Sequence, residues 1–145
     1  MKQLTWEEYY DGFYDWSSST QKSYAYRLSD YGPADEVWEI AEELDFADSA
    51  FAAKFLEKAF SAGVRFTPDQ VLEMVAMVDQ SLLSKMAEQT TVPFNREQLE
   101  EIYLMIDDFS FRKISRRSRI DVFDDVKELR RQAAASSAAR PKKKG

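Results

Sequence analysis

An all-α fold, a compact bundle of six or seven amphipathic helices, is what this sequence predicts, and three observations carry that reading. Glycine and proline number four each in 145 residues, too few for the many turns of a β-sandwich or barrel. Thr5, Ser18, Asp48, Thr67 and Asn95 are capping residues that each precede apolar side chains at three- and four-residue spacing. Hydrophobic residues make up 44% of the chain and aromatics 14%, enough for a core. A chain of this length suits one domain that buries about two-thirds of its unfolded surface. Residues 1–132 are expected to form that domain. Residues 133–145 hold no large apolar side chain and read as a disordered basic tail.

The elements follow in order. Thr5 and Glu8 make a T-x-x-E capping box ahead of Trp6, Tyr9, Tyr10 and Phe13, which predicts a helix over 6–16. Ser18 and Gln21 make a second box, opening a helix expected to reach Tyr31, where Gly32 would close it in a left-handed turn and Pro33 would start the next. The helix over 34–45 is two-faced, with Val37, Ile40, Ala41 and Leu44 on one side and Asp35, Glu36, Glu39, Glu42 and Glu43 on the other. Asp48 caps a fourth helix, which points Phe51, Phe55, Leu56, Ala59 and Phe60 inward and ends at Gly63.

Residues 64–87 and 92–115 then align without gaps at a 28-residue offset. Seven positions are identical: Val64/Val92, Phe66/Phe94, Gln70/Gln98, Glu73/Glu101, Met77/Met105, Asp79/Asp107 and Lys85/Lys113. Either an internal duplication or two helices obeying the same capping rules accounts for this. Two copies alone fall short of the three or more that a solenoid needs. Beyond Phe94, where Gly and Pro are absent until Pro141, the stripe Phe111, Ile114, Val122, Val126, Leu129 predicts one very long helix, or two with a kink at 109–110.

Charge is divided along the chain. Residues 1–108 hold 22 acids and 8 bases, a net of −14, whereas 109–145 hold 4 acids and 12 bases, a net of +8. The basic block Arg112, Lys113, Arg116, Arg117, Arg119 falls on one side of a helix whose other side carries Phe111 and Ile114. Its natural complement is the acidic row at 35–48, in the same chain or another protein. Phosphate is the other complement, although a −14 body repels a nucleic-acid strand.

Several chemistries are excluded or disfavoured. No cysteine means no disulfide, thiolate nucleophile or Cys-ligated metal, and no histidine removes the imidazole base and the His-containing metal sites. The carboxylates of 35–48 lack the loop spacing and mid-loop glycine of a calcium hand. Paired-carboxylate catalysis needs a deep cleft that a short helical chain hardly offers. The aromatic cluster Trp6, Tyr9, Tyr10, Phe13, Tyr14, Trp16 sits among acids, which suits a core better than a base-stacking platform. RKIS and RRSR are basophilic-kinase-like around Ser115 and Ser118, and Arg130–Arg131 with Lys142–Lys144 is spaced like a bipartite import signal. No apolar run approaches the ~20 residues of a membrane helix, and the first residues lack a signal-peptide pattern.

The expectation is therefore a cytoplasmic, non-enzymatic interaction or regulatory protein with no catalytic residue, cofactor or metal and no membrane partner. It would bind another protein through Asp35, Glu36, Glu39, Glu42, Glu43 or through Arg112, Lys113, Arg116, Arg117, Arg119. One alternative is an acidic nucleic-acid mimic that inhibits a DNA- or RNA-handling enzyme, in the manner of anti-restriction or anti-CRISPR proteins. A second is nucleic-acid binding through the basic block.

Overall fold

The computed structural model describes residues 3–120. Among them are eight α-helices and no strand, the nearest thing to a sheet being a single parallel bridge between Leu4 and Leu28. In chain order the helices are α1 (Trp6–Gly12), α2 (Ser18–Ala25), α3 (Ala34–Ala47), α4 (Ser49–Ser61), α5 (Pro68–Glu73), α6 (Gln80–Glu88), α7 (Arg96–Ile102) and α8 (Asp108–Ser118). Short 3-10 turns extend α1 over Phe13–Asp15 and α5 over Met74–Ala76. The helices are shorter and more numerous than expected because each of the segments 64–87 and 92–115 spans two of them.

The first helix begins as the capping box dictates. Thr5 Oγ1 accepts from the Glu8 amide and Glu8 returns a carboxylate oxygen to the Thr5 amide at 3.1 Å. Trp6 is the hub behind it. Its ring lies about 6 Å from those of Tyr9, Tyr10, Tyr31 and Phe55. The backbone of Gly32 packs on the same indole so closely that an added Cβ would stand 2.1 Å from Cδ1.

Three expectations for this region need correcting. The cap of α2 is Ser17, not Ser18, and Gln21 donates instead to the Phe13 carbonyl at 2.8 Å. α2 stops at Ala25 rather than Tyr31, because the backbone of 27–29 is used by Leu4, through Leu4 N to Arg27 O (2.7 Å) and Ser29 N to Leu4 O (2.8 Å). Gly32 is consequently no left-handed cap. The described glycine at positive φ is Gly63 (φ 109°), which closes α4 with Val64 N donating to Ala59 O.

α3 and α4 form the most extensive helix pair. Val37, Ile40, Ala41 and Leu44 of α3 are fully or almost fully buried, as are Ala52, Phe55, Leu56 and Ala59 of α4. Burying each large side chain stabilises the fold by about 2 kcal/mol relative to exposure. Asp48 alone joins the two helices. Its amide closes α3 on Leu44 O, and its carboxylate opens α4 by accepting from Phe51 N at 3.1 Å, while Lys22 adds an ion pair at 3.1 Å.

The remaining helices come as two further pairs. α5 and α7 each open on a full capping box, Thr67 with Gln70 and Asn95 with Gln98. α6 and α8 open on the matching aspartates, Asp79 and Asp107. Val71 and Leu99 are buried alike, and so are Met74 and Ile102. The same side-chain link recurs between pairs. Gln70 Nε2 donates to Asp35 at 2.7 Å and Gln98 Nε2 donates to Asp69 at 2.8 Å, which brings the starts of α3, α5 and α7 together. Two units built on common capping rules produce these matches as readily as a duplication does.

The break after α7 falls at 103–107, ahead of the expected 109–110, because Asp107 is the cap that starts α8. Its carboxylate accepts from Ser110 N at 2.8 Å and from Ser84 Oγ at 3.4 Å. Ser110 Oγ also lies 2.9 Å from Glu88 Oε2, and Lys113 pairs with Glu88 at 3.2 Å, so one polar cluster joins α8 to α6. α8 does not run on as one long helix. Arg119 turns it off in the left-handed region (φ 57°), with Ile120 N reaching back to Ser115 O. The rest of the expected stripe, Val122, Val126 and Leu129, lies outside the described residues, as does 133–145.

Asp107→Ala removes both the cap and the bridge to α6 and is expected to lower the unfolding free energy by about 1–2 kcal/mol. The Ser110 amide holds the Asp107 carboxyl below its ordinary range, so its contribution is present at neutral pH and is lost as pH falls through the carboxylate range. The variant's deficit should shrink accordingly in acid. Ser115 Oγ is buried with no hydrogen-bond partner among the described residues, so Ser115→Ala should raise stability by about 1 kcal/mol. Urea unfolding of both variants checks these signs.

Candidate functional site

Packing α3 onto α4 turns every carboxylate of α3 away from the core, but the row divides into two halves. The first half is satisfied by the chain itself. Asp35 accepts from Gln70, Glu36 accepts from the Trp6 indole N–H at 2.9 Å, and Glu39 accepts from the hydroxyls of Tyr10 and Tyr14, each at 2.8 Å. The aromatic residues near the amino end thus join core packing to charge anchoring. Hydrogen bonding to Glu39 pushes the Tyr10 hydroxyl up, and for Tyr14 desolvation leads with the same bond second.

The second half opens into a cleft of about 570 Å³. Its walls are Glu39, Glu42, Glu43 and Asp45 of α3 and Glu73 of α5, with Trp38, Phe46, Ala76 and Met77 as the apolar part. Phe46 is 96% exposed, the most exposed large hydrophobic side chain among the described residues. Partial burial raises the Glu42 carboxyl above its ordinary value, and the charges of Glu73, Glu43 and Glu39 push it further. Such a surface attracts a cation that brings some apolar area with it. Among the described residues no group of three or more carboxylates is placed to hold a metal ion.

The basic block lies on α8 as expected, with Phe111 and Ile114 buried beneath it. Its outer face carries Phe109, Arg112, Lys113 and Arg116, all exposed. Lys113 pairs with Glu88 and stands 4.5 Å over the Phe109 ring. Arg117 donates to the Thr90 carbonyl at 2.7 Å and to the Thr90 hydroxyl at 3.1 Å, just past the end of α6. The expected apposition of this block with residues 35–48 is therefore not how Lys113 and Arg117 are partnered. α8 packs on α6 and α7, whereas α3 packs on α4 and α2, so nearer groups take these two cations. Arg119 is exposed at the left-handed turn. Of the two serines in kinase-like contexts, Ser115 is buried and Ser118 Oγ donates to Ile114 O at 2.8 Å.

Phe46 was not singled out in the sequence, and Glu73 and Met77 stood out there only as positions shared by the two aligned segments, not as site residues. Phe46 had a signal, since it falls off the Val37–Ile40–Ala41–Leu44 stripe. Glu73 and Met77 had none, because only the packing of α5 beside α3 brings them to the cleft. Among the described residues no helix is long and apolar enough to cross a membrane. No protein-family model matches the chain, and no curated protein or solved structure matches it either.

A raised folded-state pKa means that Glu42 is better tolerated protonated, so its ionisation costs stability as pH rises through that value. Glu42→Gln is thus expected to raise the melting temperature at neutral pH. The gain should vanish below the ordinary glutamate range and shrink in high salt, as thermal melts across pH would show.

Proposed function

We propose that this chain is a non-enzymatic binding protein that recognises a basic protein segment through the carboxyl-terminal half of α3. The observation that supports it is Phe46, almost fully exposed at the lip of a cleft walled by Glu42, Glu43, Asp45 and Glu73. A large apolar side chain left in water beside crowded like charges is stabilised when a partner covers the ring and supplies cations. The cleft's apolar floor suits the aliphatic stem of an arginine or lysine whose head meets the carboxylates. A nucleic-acid mimic presents negative charge for the same kind of basic surface, but it has no use for an exposed phenyl ring. That ring favours a mixed basic and apolar protein face.

The test uses a defined probe, a labelled helical peptide with arginine and leucine at three- and four-residue spacing, read by fluorescence anisotropy. Affinity should fall steeply as salt rises and should drop about tenfold or more in Phe46→Ala, the loss expected of an interface anchor. Glu42→Gln with Glu43→Gln should weaken it further. Equal affinity for the parent and these variants would refute the proposal.

A further inference from the structure

The outer faces of α3 and α8 are mirror images in sequence spacing. Three, four and seven residues before Phe46 stand Glu43, Glu42 and Glu39, and the same intervals after Phe109 bring Arg112, Lys113 and Arg116. These are the intervals at which side chains share one face of a helix. Each row therefore ends in an exposed phenyl ring, Phe46 at 96% and Phe109 at 69%, and one row is acidic where the other is basic. Set antiparallel, the end of α3 meets the start of α8. The two rings then meet, Glu43 and Glu42 face Arg112 and Lys113, and Glu39 faces Arg116. A parallel arrangement would put each ring against the far end of the other row.

We infer that the occupant of the α3 face is α8 of a second copy of this chain, docked antiparallel. This rests on the binding role proposed above and names the partner for that surface. Among the described residues both rings remain exposed, so neither is covered within that part of one copy. The partners of Glu39 and Lys113 do not prevent docking. Glu39 keeps its two tyrosine donors and Lys113 its bond to Glu88, while both side chains remain on the surface. Because every copy carries one acidic and one basic row, association either closes as a two-fold dimer with two α3–α8 contacts or continues head to tail. Either result raises the mass with concentration. Because the facing charges are exposed, association weakens as salt screens them.

The experiment is sedimentation velocity on the full chain over a range of concentrations, at about 0.02 M and about 0.5 M salt. Variant one is Glu42→Lys with Glu43→Lys, and variant two is Arg112→Glu with Arg116→Glu; circular dichroism verifies that each is folded. The parent should associate at low salt and dissociate at high salt, each variant alone should stay monomeric, and an equimolar mixture should associate again. Phe109→Ala gives an uncharged check and should weaken association about tenfold. A parent that is monomeric throughout, or a mixture that fails to restore association, overturns the inference. If the parent is monomeric yet still binds the arginine–leucine peptide through Phe46, only the identity of the occupant falls. If it does neither, the binding role falls with it.

Discussion

Burial of the α3 stripe against α4 is the constraint on which the rest of the molecule depends. Val37, Ile40, Ala41 and Leu44 can leave water only if α3 lies along α4, and the single-residue joint at Asp48 fixes where each helix ends and begins. Once that rotation is set, the carboxylates of α3 have no freedom over which way to face. The aromatic cluster near the amino end then restrains the first half of the row through Trp6, Tyr10 and Tyr14. Among the described residues its hydrogen bonds stop at Glu39 and do not extend to Glu42 or Glu43. The division between an anchored half and an open half follows from the reach of α1 and its 3-10 turn.

Geometry at the other end of the domain follows a different logic. α8 is held to α6 by Asp107, Ser110, Glu88 and Lys113 near its start and by Arg117 on Thr90 near its end. Here two members of a basic block orient a helix locally, by closing polar groups at the end of α6. The rest of the block, together with Phe109, makes an outward face. Thus one helix carries Lys113 and Arg117, whose partners lie on α6 and at Thr90, beside further basic side chains on its exposed surface.

The sequence disclosed the helical class and most of the helix starts, because a capping residue states its role within three or four positions. Thr5, Asp48, Thr67 and Asn95 all act as read. Ser17 and Ser18 are chemically alike, so the true cap between them is set by the turn before it. Gly32 and Gly63 were harder, since a glycine serves a close approach as well as a left-handed turn, and only the position of Trp6 tells which. Arg119 in the left-handed region was invisible, as nothing in an arginine announces it. The charged rows on α3 and α8 were legible from periodicity. The cleft beside α3 was not, because Glu73 and Met77 reach it by packing between elements far apart in sequence.

The central claim is that α4 holds the open half of α3 as a rigid, charge-crowded face with its apolar stripe inward. Thiol labelling tests it directly, since the chain has no cysteine of its own to interfere. Single cysteines at positions 46, 42 and 41 would be labelled in the folded protein. The thiol at 46 should react as fast as a free peptide thiol, and the one at 41 far more slowly. The thiol at 42 should ionise late among its neighbouring carboxylates, so its rate should climb as salt screens them. Position 41 reacting as fast as 46, or a rate at 42 indifferent to salt, would contradict the account.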